Sequence, residues 1–285
     1  MRITITNLQK SDVKPYVSLV ECIVTKEFAE LNKLFGELRI LIGNTDDIRN
    51  SLFKKGEKEF LGNTELVSLT KEIFVIRNWA NPPKALLELN LSIFPSYEPW
   101  KQKLAIRHEC CHLLNFEENP SIFMELLKKY SHEYLNPLVR SKNEYYAHLC
   151  VIKRWPKDWL IEPLGFPKGK QSPSVLYNKT KRNEGKKAAL QLCIQNIIHI
   201  LSVLFLYDGL PKHLKPKVKK KKKAACNYLK DFFRAMKEDL SVSFPSPEEW
   251  LTPDDFLHGE VYFEKIQKIL MLVEKEVECT QVFTT

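Results

Sequence analysis

Apolar and polar positions follow two rhythms along this chain, a period of two in its first third and a period near 3.6 thereafter. Residues 2–6 alternate and predict a strand, 38–42 predict a second closed by Gly43-Asn44, and 73–77 predict another. Between the first two, Val17, Val20, Ile23, Phe28, Leu31 and Phe35 recur at helical spacing and predict a helix from Tyr16 to about Leu34. Thr45-Asp46-Asp47 offers cap residues for a further, more exposed helix. Alternation is clearest over residues 86–94. There Leu87, Leu89, Leu91 and Ile93 share one face while Glu88, Asn90 and Ser92 share the other, the pattern of a half-buried strand with one wet side.

Pro95 and Pro99 close that strand and open a helix expected over residues 98–115. Asn119-Pro120 starts the next, to about Tyr130, and Asn136-Pro137 is expected to break the chain before a helix over 141–153 that stops ahead of Trp155-Pro156. Residues 163–185 are rich in Pro, Gly, Ser and Lys and predict a linker or long surface loop. Residues 187–207 are almost wholly apolar. Their polar members Gln191, Gln195, His199 and Ser202 form one narrow helical stripe, which with Asn196 favours a buried helix over a membrane span. Helices near 224–240 and 259–278 follow, with proline-rich 245–253 between them, and no internal repeat is present.

Charge changes this picture in the second half. The chain has 285 residues and a formal net charge of +9. Residues 153–237 hold 21 basic and 5 acidic side chains, whereas residues 238–285 hold 3 basic and 11 acidic ones. Either the acidic tail docks on the basic middle, or the middle meets an external polyanion. Five consecutive lysines, Lys219–Lys223, read first as a solvated loop, with nucleic-acid or phospholipid contact the less favoured reading. The seven cysteines are scattered and form no CxxC pair, and the first ten residues have no apolar signal stretch. A reducing, cytoplasmic setting is expected, with thiols as small apolar filler.

The chemistry concentrates in His108-Glu109-Cys110-Cys111-His112, an HExxH pattern. On a helix, residues four apart share a face, so His108 and His112 can offer two imidazole nitrogens to one metal, and Glu109 can take a proton from water beside it. A catalytic zinc needs a third protein ligand. Glu144 suits that role because Glu144, Ala147, His148 and Val151 share a helical face and small Ala147 permits a close approach. The competing reading makes Ser141-x-x-Glu144 a capping box at a helix start. Tyr145, Tyr146 and His148 are expected to pack, with oxyanion or ligand-orienting hydrogen bonds as their alternative role.

HExxH followed by a helix bearing Glu-x-x-Ala resembles the gluzincin zinc metallopeptidases, thermolysin-like enzymes, and most of all the compact minigluzincin domains. The resemblance covers roughly residues 1–155. It implies one zinc per chain held by His108, His112 and Glu144, with Glu109 as general base and acid. It also implies a substrate backbone added along the strand whose wet face carries Glu88, Asn90 and Ser92. Thermolysin-like enzymes often place an Asp one turn after the ligand Glu, where this chain has His148. The expected fold class is α+β, a small mixed sheet packed on an HExxH helix and a Glu-bearing helix, followed by a mostly α-helical region. The expected domains are residues 1–155, zincin-like, and 156–285, helical with a basic linker and a regulatory or covering role. The function so implied is hydrolysis of a peptide or protein substrate. The alternative is a non-catalytic zinc-containing module that uses its basic segment on nucleic acid or another polyanion. Oligomeric state is left open by the sequence.

Overall fold

The protein is described from a computed structural model over residues 2–7, 13–43, 64–69, 73–78, 84–114, 121–130, 132–161, 163–164 and 171–282. It is mostly helical with one small sheet, a coarse α+β class. Two compact units are present, Met1–Phe116 with Lys153–Trp159, and Glu117–Ile152 with Leu160–Thr285. This grouping puts residues 117–152 with the C-terminal helices, so it differs from a division at 155/156.

The first unit is built on five strands, β1 (Arg2–Asn7), β2 (Glu37–Gly43), β3 (Thr64–Leu69), β4 (Ile73–Asn78) and β5 (Lys84–Asn90), in spatial order β1-β2-β5-β4-β3. β1, β2 and β5 run parallel, and β5, β4 and β3 run antiparallel. A parallel β1–β2 pair needs a crossover, which α1 (Lys14–Glu27) and the single turn α2 (Leu31–Leu34) provide. The helix expected over 16–34 is therefore two pieces. Phe28 leaves helical backbone, is fully buried, and lies against Trp155 with ring centroids 5.7 Å apart. Leu87 and Leu89 of β5 are buried as read, together with Ala85, and so are Leu38, Ile40 and Ile42 of β2, whereas Leu91 and Ile93 lie beyond the strand. Helix α3 (Pro99–Leu114) packs against β3, β4, α1 and the short α6 (Pro156–Trp159).

Two expectations about the clearest strand are corrected. β5 ends at Asn90, whose Oδ1 accepts a hydrogen bond from the Ser92 amide at 3.0 Å, a turn that takes residues 91–93 out of the sheet. Ser92 is thus not a strand residue. β5 is also interior, hydrogen-bonded to β2 on one side and β4 on the other. A substrate backbone cannot be added along Glu88, because both ladder edges there are filled, by Leu41 of β2 and Phe74 of β4. Among the described residues the sheet edges are β1 and β3. The cap at Thr45-Asp46-Asp47 lies outside the described residues.

The second unit comprises α4 (Ser121–Lys129), most of α5 (His132–Arg154), α7 (Pro173–Glu184), α8 (Lys186–Gly209), α9 (Lys215–Lys237), α10 (Pro247–Trp250) and α11 (Gly259–Val282). α8 is its centre, packed on α7, α9, α10 and α11. Ile194, Ile197, Ile198, Ile200 and Val203 on it are fully buried, each worth roughly 1.5–3 kcal/mol of apolar burial. Among the described residues α8 alone is long and apolar enough to cross a membrane, and 67% of that window is buried within the protein. Gly185 joins α7 to α8 with φ +92, a conformation that favours glycine.

Three connections expected as breaks or loops are helical. α5 runs straight through Pro137, residues 173–184 form a helix capped by Ser172 and opened by Pro173, and the lysine run lies inside α9. The acidic tail does engage the basic middle. Lys186 and Lys181 pair with Glu276 and Asp239 at 2.6 Å each, and Tyr177 donates to Asp239 at 2.8 Å.

Candidate metal centre

α3 is fixed in the first unit by its two other faces. Ile106, Cys110 and Leu113, at i, i+4 and i+7, are fully buried, and Cys110 and Cys111 are buried as apolar filler, outside any disulfide. Arg107 does not point to solvent. It donates to both Glu27 carboxylate oxygens at 2.7 and 2.9 Å and to Asp158 at 2.9 Å, and stacks 4.5 Å from the Trp155 ring centre. The Glu27 hydrogen bonds, opposed by burial, hold its guanidinium above its ordinary pKa. The anchored helix presents the remaining face, His108, Glu109 and His112.

On that face the two imidazoles lie edge to face with centroids 4.7 Å apart, as spacing four predicts. His112 is 1% exposed and Glu109 2%. His108 Nδ1 is 3.3 Å from Glu109 Oε1, while Glu109 Oε2 is buried with no hydrogen-bond partner among the described residues. A buried carboxylate oxygen left unsatisfied costs on the order of 1–3 kcal/mol or more. Such a group is rare outside sites that use it.

In the second unit, Glu144 sits well inside α5. Its placement disposes of the capping box, because Ser141 is mid-helix and its Oγ donates to the Pro137 carbonyl at 2.9 Å. Pro137 removes one helix hydrogen bond and would ordinarily break the helix. Here side chains serve the carbonyls around it: Gln195 donates to the Tyr134 carbonyl at 3.0 Å and Tyr262 to that of Leu138 at 2.9 Å. The polar stripe of α8 thus helps to hold the helix that bears Glu144. The Glu144 carboxylate lies 3.6 Å from His148 Nε2 and 3.8 Å from Arg140 Nε, each one turn away. Ala147 is fully buried. Tyr145 packs 4.8 Å from the Phe256 ring, and burial, reinforced by Asp254, pushes its phenol up to about 12. That is a core position, while Tyr146 and His148 are half-buried. A cavity of about 320 Å³ is lined in this unit by Arg140, Glu144, Gln195, Asn196 and His199. Arg140 carried no signal in the sequence, and Asn196 and His199 only their places as polar members of the apolar helix.

Within the first unit His108 and His112 could each turn one imidazole nitrogen to a metal, and within the second Glu144 offers carboxylate oxygens on a helix face shared with His148. Two neutral imidazoles and one carboxylate are a donor set suited to zinc. No family model, no curated protein and no solved structure matches this chain.

Proposed function

We propose that the chain is a zinc-dependent peptidase, with one zinc per chain held by His108, His112 and Glu144. The observation that carries this reading is the pair of imidazoles, His108 and His112, one helical turn apart beside a buried carboxylate whose Oε2 has no hydrogen-bond partner among the described residues. Zinc in such a site supplies Lewis acidity, bringing water towards ionisation at neutral pH and polarising a carbonyl. Glu109 Oε2 takes the proton as water oxygen bonds to the peptide carbon, and returns it to the amine as the carbon–nitrogen bond breaks. Oε1, at His108 Nδ1, keeps the carboxylate and the imidazole oriented to each other. His148 orients Glu144 in the same way. Substrate backbone joins the sheet at β3, an edge strand that packs on α3, in place of the interior β5. None of the seven cysteines is in a disulfide, which suits a reducing compartment that we take to be the cytoplasm.

The test is zinc content by mass spectrometry with cleavage of a peptide library, for wild type and Glu109→Gln. We expect stoichiometric zinc in both and a loss of cleavage of about 10²–10⁴-fold in the variant. Absence of zinc from wild type, or cleavage untouched by the substitution, refutes the reading.

A further inference from the structure

The second unit contains a separate, strongly cationic pocket of about 650 Å³ where the start of α9 meets the end of α8. Five lysines line it, Lys212, Lys215, Lys219, Lys222 and Lys223. Lys215, Lys219, Lys222 and Lys223 fall at i, i+4, i+7 and i+8 of α9, so the helix gathers them on one face. Lys217, Lys220 and Lys221 of the same run do not line it. Among the described residues only Lys222 has an acidic partner there, Asp208, leaving a surplus of four positive charges. Lysines this close repel one another, and among the described residues Asp208 is the one acidic side chain that lines the pocket. The floor is apolar: Val218 and Tyr207 are buried, Pro216 and Cys226 complete it, and the Tyr207 hydroxyl is spent on the Leu164 carbonyl at 3.1 Å. The α9 N-terminus adds partial positive charge at the same end.

We propose that this pocket binds a small molecule carrying two or more phosphate groups and an aromatic or apolar end, of the nucleoside-polyphosphate type. Phosphates meet the lysine ammoniums as point charges, and the apolar end lies on the Tyr207–Val218 floor. The volume is that of a small-molecule site, and the lysines line a concavity instead of tracking a long strand, which sets this apart from a nucleic-acid groove. The proposal is independent of the metal centre.

The experiment is calorimetric titration of the full chain with ATP and, separately, with inorganic triphosphate. One ATP should bind per chain, more tightly than triphosphate by at least threefold, and several-fold more weakly as salt rises from about 50 to 250 mM. The triple variant Lys215→Gln/Lys219→Gln/Lys223→Gln should weaken ATP at least tenfold with an unchanged melting temperature, since these side chains are exposed and glutamine keeps helix propensity. The control Lys217→Gln/Lys220→Gln/Lys221→Gln should change it less than threefold. No binding at millimolar ATP, equal losses in the two triple variants, or triphosphate matching ATP would overturn the proposal. A single-stranded oligonucleotide binding far more tightly than ATP would also overturn it, and would mark the face as a nucleic-acid surface.

Discussion

Glu276 on α11 is wholly buried, and replacing it should unfold the second unit more readily than any surface change. Its Oε2 accepts from the Ser241 and Val242 amides at 2.8 and 2.6 Å, and its Oε1 accepts from Lys186 Nζ at 2.6 Å. Hydrogen bonds to a charged group are worth about 1.5–3 kcal/mol each, but the three share one carboxylate and do not add. Glu276→Ala takes one charged acceptor from a mostly buried ammonium and from two amides, which puts the loss at about 3–5 kcal/mol. For a unit of this size that lowers its melting midpoint by roughly 6–20 °C. Glu276→Gln should recover only part of this, because its NH2 must face either the ammonium or the two amides, donor against donor. Burial alone would raise the Glu276 pKa, but the Lys186 hydrogen bond and the two amides outweigh it and hold the group below the usual glutamate value. A depressed carboxylate stabilises the fold above its unfolded pKa, and that contribution fades as pH falls through the folded value. The gap between wild type and Glu276→Gln, followed by urea unfolding from pH 7 downwards, should therefore shrink below about pH 4.5. A pH 7 gap under about 0.5 kcal/mol, or one that widens in acid, refutes this account of the carboxylate.

Arg107→Lys should destabilise the first unit by about 2 kcal/mol in urea unfolding, because a lysine cannot reproduce the bidentate grip on Glu27 while also reaching Asp158. Stability equal to wild type would show that the fork geometry is immaterial. At the metal centre, His148→Ala should lower zinc affinity by about 10–100-fold, whereas Arg140→Ala should leave it within about threefold. The difference follows from exposure: Arg140 is 72% exposed and its hold on Glu144 is screened, while His148 is 13% exposed. Competition against a zinc chelator measures both, and the reverse order of effects would remove His148 from its orienting role.

Legibility in the sequence tracked whether one local pattern decided the outcome. The strands at 2–6, 38–42 and 73–77 and the helix at the HExxH motif were readable because alternation or capping proline settled each of them within a few residues. Pro137 misled because its usual effect on a helix is offset by Ser141, Gln195 and Tyr262, two of them more than fifty residues away. The lysine run read as a loop because like charges repel, but Val218, Ala225, Leu229 and Phe232 supply a buried helical face on which the lysines ride. β5 had the pattern of a half-exposed strand, yet position within a sheet is set by pairing order, which periodicity does not encode. The candidate ligands were legible because metal chemistry demands specific residue types at helical spacing. The cavity wall of Arg140, Asn196 and His199 was not, since no local pattern distinguishes such residues from an ordinary polar face.

Two buried glutamates in one chain make the strongest internal comparison. Glu276, 0% exposed, has a donor for each oxygen and serves as a structural clasp between its helix and the segment at 241–242. Glu109, 2% exposed, has its Oε1 near His108 and nothing at Oε2 among the described residues. A fold that satisfies one buried carboxylate so completely has the means to satisfy another. Leaving Oε2 open costs stability that packing alone could have recovered with a leucine at the same place. The arrangement makes physical sense if that oxygen is held for a proton that arrives and leaves, beside two imidazoles of the same helix that have the spacing of metal ligands.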